Sequence, residues 1–151
     1  MKRFILSYLG IFFILLSILS FFNIIYSYYF NLYLNIDTYF YTFLISLIVG
    51  ISSFINNKIE VKITIYSKIF AVILGYFILP LIISIPYYFS IYNLSFLNSY
   101  FESVSGFTST GFTVIENIKH LDQSLILWRS TSQWIGGIYF LFSILLLIDI
   151  F

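Results

Sequence analysis

SFLNSYFESVSGFTSTGFT, residues 95–113, separates two apolar runs of membrane length and is itself too short and too polar to cross a bilayer. Residues 96–106 can form a helix of about 16 Å, roughly half the apolar thickness of a membrane. The hydroxyl residues and glycines that follow keep neither a helical nor a strand period. Irregular backbone is tolerated at membrane depth only where it is enclosed by protein or lines a watery cavity. A half-helix followed by Ser109, Thr110 and Gly111 between two spans therefore predicts a re-entrant pore loop.

Outward from this stretch, the chain reads as an all-α integral membrane protein. Of its 151 residues, 61% are hydrophobic and 9% charged, and the mean hydropathy is +1.02, well outside the range of a soluble domain. The aromatic share of 23% accompanies an excess of Ile, Phe, Tyr, Asn and Lys and a single alanine, Ala71; this marks an AT-rich coding sequence rather than a cofactor box. The absence of cysteine excludes disulfides and thiolate metal sites. A net charge of +1 offers no nucleic-acid-binding surface.

Lys2 and Arg3 precede an apolar run from residue 4 to about 30, too long for a signal peptide and followed by no small-residue cleavage site. A polar turn over 31–38 leads to a second run, 39–55, with Gly50 where helices can approach closely. The loop 56–67 carries Lys58, Glu60 and Lys62, with Lys68 at the next helix start. A third run, 69–88, contains Gly75, Pro80 and Pro86; Pro80 is expected to kink it and Pro86 to mark its end. Residues 123–151 return as a final long helix. The simplest topology is three spans plus one pore loop: a leading hairpin (1–57), then a helix–pore loop–helix repeat (58–151). The bias of Lys and Arg places the N-terminus and the 56–67 loop in the cytoplasm, so the re-entrant segment dips in from outside.

A half-helix whose C-terminus points at the membrane centre turns the negative end of its dipole toward a passing cation. Gly106 lies where such a helix should end and adopts left-handed dihedrals at low cost. Beyond it, Thr108, Ser109, Thr110, Gly111, Phe112 and Thr113 can present successive backbone carbonyls to a dehydrated cation. Gly111 permits angles that a side chain would forbid.

The motifs carry a resemblance as well. Residues 101–112, FESVSGFTSTGF, followed by Leu127-Trp128-Arg129 and by Gln133-Trp134-Ile135-Gly136-Gly137, look like the first filter region of the TrkH family of potassium uptake proteins. The chain departs from the family pattern at Ser109, where threonine is usual, and at Ile138-Tyr139, which replace Met-Gly. The resemblance implies a potassium-channel-like fold of four fused repeats around one pore, dimers of such subunits, and cytoplasmic nucleotide-binding regulatory subunits. It implies potassium transport across the cell inner (plasma) membrane, with no cofactor beyond the transported ion. Only the first repeat is covered, and one loop cannot replace an ion's whole water shell. The chain is therefore expected to be the N-terminal portion of a longer transporter, whose remaining repeats or further copies complete the pore. The alternatives are a scaffold that conducts nothing and a single-repeat subunit of a homotetrameric channel.

Glu102 in the pore helix and Arg129 two turns into the last helix fall at comparable depth. Ionisable residues inside a bilayer are usually paired, so they are expected to form an ion pair or hydrogen bond behind the filter, the alternative being that each meets water or a different repeat. Gly136 and Gly137 allow tight helix contact or a hinge. Glu116 reads as a solvated loop acid, Asp122 as a favourable first-turn acid, and His120 as a lone histidine without a second ligand. No nucleophile–base pair, metal cluster or phosphate loop is present in the sequence to support an enzyme.

Overall fold

The computed structural model describes residues 2–55, 64–115 and 121–148, and all regular structure among them is helical. The elements are α1 (Lys2–Tyr29), a 3₁₀ turn (Tyr33–Asn35), α2 (Ile36–Ile55), α3 (Ile65–Ile83), α4 (Ile85–Tyr88), α5 (Phe96–Phe107) and α6 (Gln123–Ile148). Among the described residues, four helical stretches are long and apolar enough to cross a membrane: Phe4–Tyr29, Tyr33–Ile55, Ile65–Tyr88 and Gln123–Ile148. The count of three spans is thus corrected to four, since α6 at about 1.5 Å per residue is longer than the roughly 30 Å hydrocarbon layer. The protein is an all-α, multi-pass membrane protein. Lys58, Glu60 and Lys62, together with Glu116, Lys119 and His120, lie outside the described residues, as do the side chains of Lys2 and Arg3.

α1 and α2 form an antiparallel hairpin sealed by small residues. A Cβ on Gly10 would lie 2.7 Å from that of Ser53, and one on Gly50 would lie 2.8 Å from Ile14 Cγ1. Lipid is as apolar as leucine, so close backbone approach and hydrogen bonding hold such helices together. Ser20 Oγ donates across the hairpin to the Tyr39 carbonyl at 2.7 Å. Ser17, Thr42 and Ser46 return their buried hydroxyls to carbonyls of their own helices, because no water is present to take them. α2 begins at Ile36, three residues before the apolar run, since the Asn35 carbonyl accepts from Thr38 Oγ1 at 2.7 Å and closes the first turn.

Pro80 lies inside α3, and the break comes at Ser84, whose N–H and hydroxyl donate to the Pro80 and Leu81 carbonyls at 2.9 and 2.7 Å. Pro86 lies two residues before the end of the Ile65–Tyr88 stretch, near the end of the span as expected. It occupies the first turn of α4, where its missing N–H costs nothing.

The packing centre is Tyr139, one of the two residues that depart from the family pattern after the double glycine. Its fully buried ring meets Tyr8 and Phe12 of α1, Tyr76 of α3 and Phe107 of α5, with ring centroids 4.7–5.9 Å apart. Its hydroxyl donates to the Val72 carbonyl at 2.9 Å and reaches that of Ala71 at 3.2 Å. Ala71 and Gly75 form the slot: a Cβ on Gly75 would overlap the Tyr139 hydroxyl and lie 2.5 Å from Cζ. Gly75→Ala should therefore lower stability by about 1–3 kcal/mol, with part of the loss recovered when Tyr139→Phe removes the hydroxyl. Thermal unfolding in detergent checks this; an unchanged midpoint in the single variant would refute the contact.

Candidate filter segment and its supports

Between α4 and α6 the chain forms one short helix and then an exposed irregular stretch. Ser95 Oγ caps α5 by accepting from the Asn98 N–H at 3.3 Å. At the other end Ser109 N–H donates to the Gly106 carbonyl at 2.9 Å and Thr110 N–H to that of Ser105 at 3.0 Å. With Ser109 at φ +56° this is a Schellman closure. The left-handed residue is Ser109, three positions beyond the expected Gly106. Gly106 stays helical and serves instead for close approach, since a Cβ there would overlap Ser132 Oγ of α6.

φ is −85° at Thr108, +56° at Ser109 and +82° at Gly111, while Thr110 and Phe112 lie outside the positive region. The sign of φ thus alternates along the stretch, unlike a strand, in which φ stays negative throughout. Residues 108–114 are all exposed. The Thr108 and Thr110 hydroxyls lie 3.3 Å apart, and each reaches back to an α5 carbonyl, Val104 at 2.8 Å and Ser105 at 3.3 Å.

The far end of the stretch is held from behind. The Phe112 carbonyl accepts from Ser105 Oγ at 2.6 Å and from Arg129 Nη2 at 3.4 Å. Glu102, completely buried on α5, accepts on Oε1 from Thr113 Oγ1 at 2.5 Å and from the Val114 N–H at 2.6 Å. Its other oxygen faces Arg129 Nε at 3.6 Å, an ion pair without a direct hydrogen bond. The structure thus brings Glu102, Arg129 and residues 112–114 together. The buried Tyr87 side chain lies within electrostatic reach of both charges. Ser105 was not singled out in the sequence, because a serine seven residues before its acceptor carries no local signal.

Gly136 and Gly137 separate in role. A Cβ on Gly136 would land on the Phe107 carbonyl, whereas nothing lies within 4 Å of one on Gly137. Gly137 instead lines an open cleft of about 360 Å³ with Tyr76, Phe107, Thr108, Ser109, Gly136 and Phe140, directly beside the α5 C-terminus. No cluster of His, Cys, Asp or Glu able to hold a metal ion occurs among the described residues.

Comparison with known proteins places this geometry in context. The sequence model of a family described as TrkH, cation transport protein, matches residues 35–150. An uncharacterized cation transporter of Methanocaldococcus jannaschii is 43% identical over 65 residues, covering 43% of this chain and 14% of the relative. The Trk system potassium uptake protein TrkI of Halomonas elongata is 45% identical over 60 residues, 40% of this chain and 11% of the relative. The corresponding protein TrkH of Escherichia coli is 34% identical over 67 residues, 44% of this chain and 14% of the relative. The matched segments therefore span about a seventh or less of these relatives' own lengths.

Proposed function

This chain belongs to the TrkH family of cation transport proteins, and from that premise we propose that residues 96–114 form one wall of a potassium-conducting pore in the cell membrane. α5 is the pore helix, and the carbonyls of Thr108, Ser109, Thr110 and Gly111 replace part of the ion's water shell. Phe112 braces this file, since its oxygen is already engaged by Ser105 and Arg129, while the Thr113 hydroxyl is anchored on Glu102 and its carbonyl continues the file. The observation that carries the reading is the alternating φ along 108–112 in a stretch backed by a buried carboxylate and left open on its other face.

The remaining ligands come from further repeats or further copies of this chain. One exposed wall leaves a cation partly dehydrated without compensation, and Phe112 is 72% exposed here. The bias of the basic residues supports a cytoplasmic N-terminus, and family membership suggests a nucleotide-binding regulatory subunit on that side.

Growth at low potassium of a host lacking its own uptake systems, with rubidium uptake as the direct readout, tests the reading. The protein as its gene encodes it should restore growth. Gly111→Ala should lower uptake about tenfold, because an L-residue at φ +82° is strained by about 1–2 kcal/mol. Membrane-inserted protein that restores nothing would overturn the proposal in favour of a nonconducting scaffold.

A further inference from the structure

A polar chain runs from the α1–α2 hairpin to the start of α6, away from the filter itself. Asp122, the residue before α6, accepts two hydrogen bonds on one carboxylate oxygen, from Asn35 Nδ2 at 3.1 Å and Ser124 Oγ at 2.6 Å. Ser124 Oγ lies 2.9 Å from Tyr39 Oη. With its own proton committed to Asp122 it accepts there, so each bond in the series polarises the next. Asn35 Oδ1 accepts from the Ile91 N–H at 3.3 Å, and the Asp122 N–H donates to Tyr92 Oη at 2.7 Å. Asn35, Tyr39 and Ser124 are buried.

Three parts of the chain therefore meet around Asp122: the hairpin and α6 at its carboxylate, and the α4–α5 connection at its backbone N–H and at Asn35. The Asp122 carbonyl accepts the Leu125 and Ile126 N–H groups, and its negative charge is favourable at that end of the helix dipole. Two turns further along, on the same face of α6, stands Arg129. Between them Trp128 packs 5.8 Å from the Tyr39 ring and donates Nε1–H to the Ile83 carbonyl at 3.0 Å. The rotation and depth of α6 are thus set at Asp122 and Trp128, and the filter contact is made by the next side chain.

We propose that Asn35 and Asp122 are positioning residues for the filter: their hydrogen bond fixes the height at which Arg129 holds the Phe112 carbonyl, so that the hairpin outside the pore repeat tunes ion discrimination. This rests on the filter reading above. The test uses Asn35→Asp, Asp122→Asn and the exchanged pair N35D/D122N, in the protein as its gene encodes it. Because this chain has no cysteine, Val114→Cys adds a reporter thiol beside the Glu102 clamp. Asn35→Asp, which sets two carboxylates face to face, should lower the ratio of potassium to sodium uptake about three- to tenfold and speed thiol modification at position 114, at unchanged membrane abundance. Asp122→Asn keeps an oxygen for Asn35 Nδ2 and Ser124 but loses the charge assistance, and should act in the same direction more weakly. The exchanged pair should recover both readouts.

Single variants that keep the uptake ratio and the modification rate would overturn the inference, as would an exchanged pair no better than the singles. Loss of membrane abundance in the singles without recovery in the pair would reduce the contact to a folding role. Should the unaltered protein fail to move potassium, the transport reading falls, and the modification rates alone decide the positioning role.

Discussion

Exchanging Glu102 for glutamine should lower potassium uptake on the order of 100- to 1,000-fold or more, because breaking a buried ion pair leaves the partner charge uncompensated at a cost of about 3–5 kcal/mol. The amide retains an oxygen for the Thr113 hydroxyl and the Val114 N–H, so the hydrogen bonds at 2.5 and 2.6 Å can persist. What is lost is the charge facing Arg129, whose side chain is 11% exposed and finds little water. Arg129→Gln should cost a similar factor, since it strands the completely buried carboxylate and also removes the contact to the Phe112 carbonyl. In the double variant neither charge remains unpaired. Uptake should then recover in part, though not fully, because the Phe112 brace stays missing. A double-mutant cycle on rubidium uptake, normalised to membrane abundance, measures the coupling; independent, additive losses would show that the two residues act separately.

Gly136→Ala should destabilise the fold by about 3 kcal/mol, against the roughly 1 kcal/mol that alanine ordinarily gains over glycine inside a helix. The added methyl group would occupy the position of the Phe107 carbonyl, which is backbone and cannot rotate away. Either α6 withdraws or the last turn of α5 shifts, and the Schellman closure at Ser109 moves with that turn. The matched control is Gly137→Ala, which meets nothing within 4 Å in this chain and should leave the unfolding midpoint unchanged or raised. The expected result is therefore opposite signs at adjacent glycines, read by thermal unfolding in detergent and by membrane abundance. Equal effects at the two positions would refute the contact between Gly136 and Phe107.

The helices were legible wherever periodicity and length suffice. The apolar run beginning at Phe4 and that over 39–55 became helices at nearly the expected bounds, and the half-helix over 96–106 extended by one residue to Phe107. The run over 69–88 instead begins at Ile65, because Thr64 and Ser67 cap it inside the expected 56–67 loop, and divides at Ser84 into α3 and α4. The shortfalls came from competing local chemistry. α2 starts early because Thr38 closes a turn onto Asn35. The left-handed turn falls at Ser109 because the α5 carbonyls of Ser105 and Gly106 remain to be satisfied there, and a serine accepts that conformation when two backbone bonds fix it. Proline and glycine mark where a helix can break, whereas the hydrogen bonds of the neighbouring turn decide where it does.

Composition and spacing alone determined that this is a helical membrane protein interrupted by a short polar segment, because 18 or more apolar residues in succession have no stable home in water. They also brought Glu102 and Arg129 to comparable depth, where a charge in lipid is too costly to stand alone, but left open whether each meets the other, water or a different repeat. Only the tertiary structure decided which glycine admits which neighbour, that Tyr139 fills the slot left by Ala71 and Gly75, and that Asp122 ties the hairpin to α6. Periodicity along one helix specifies which residues share a face, but it carries no information on which distant segment will cover that face.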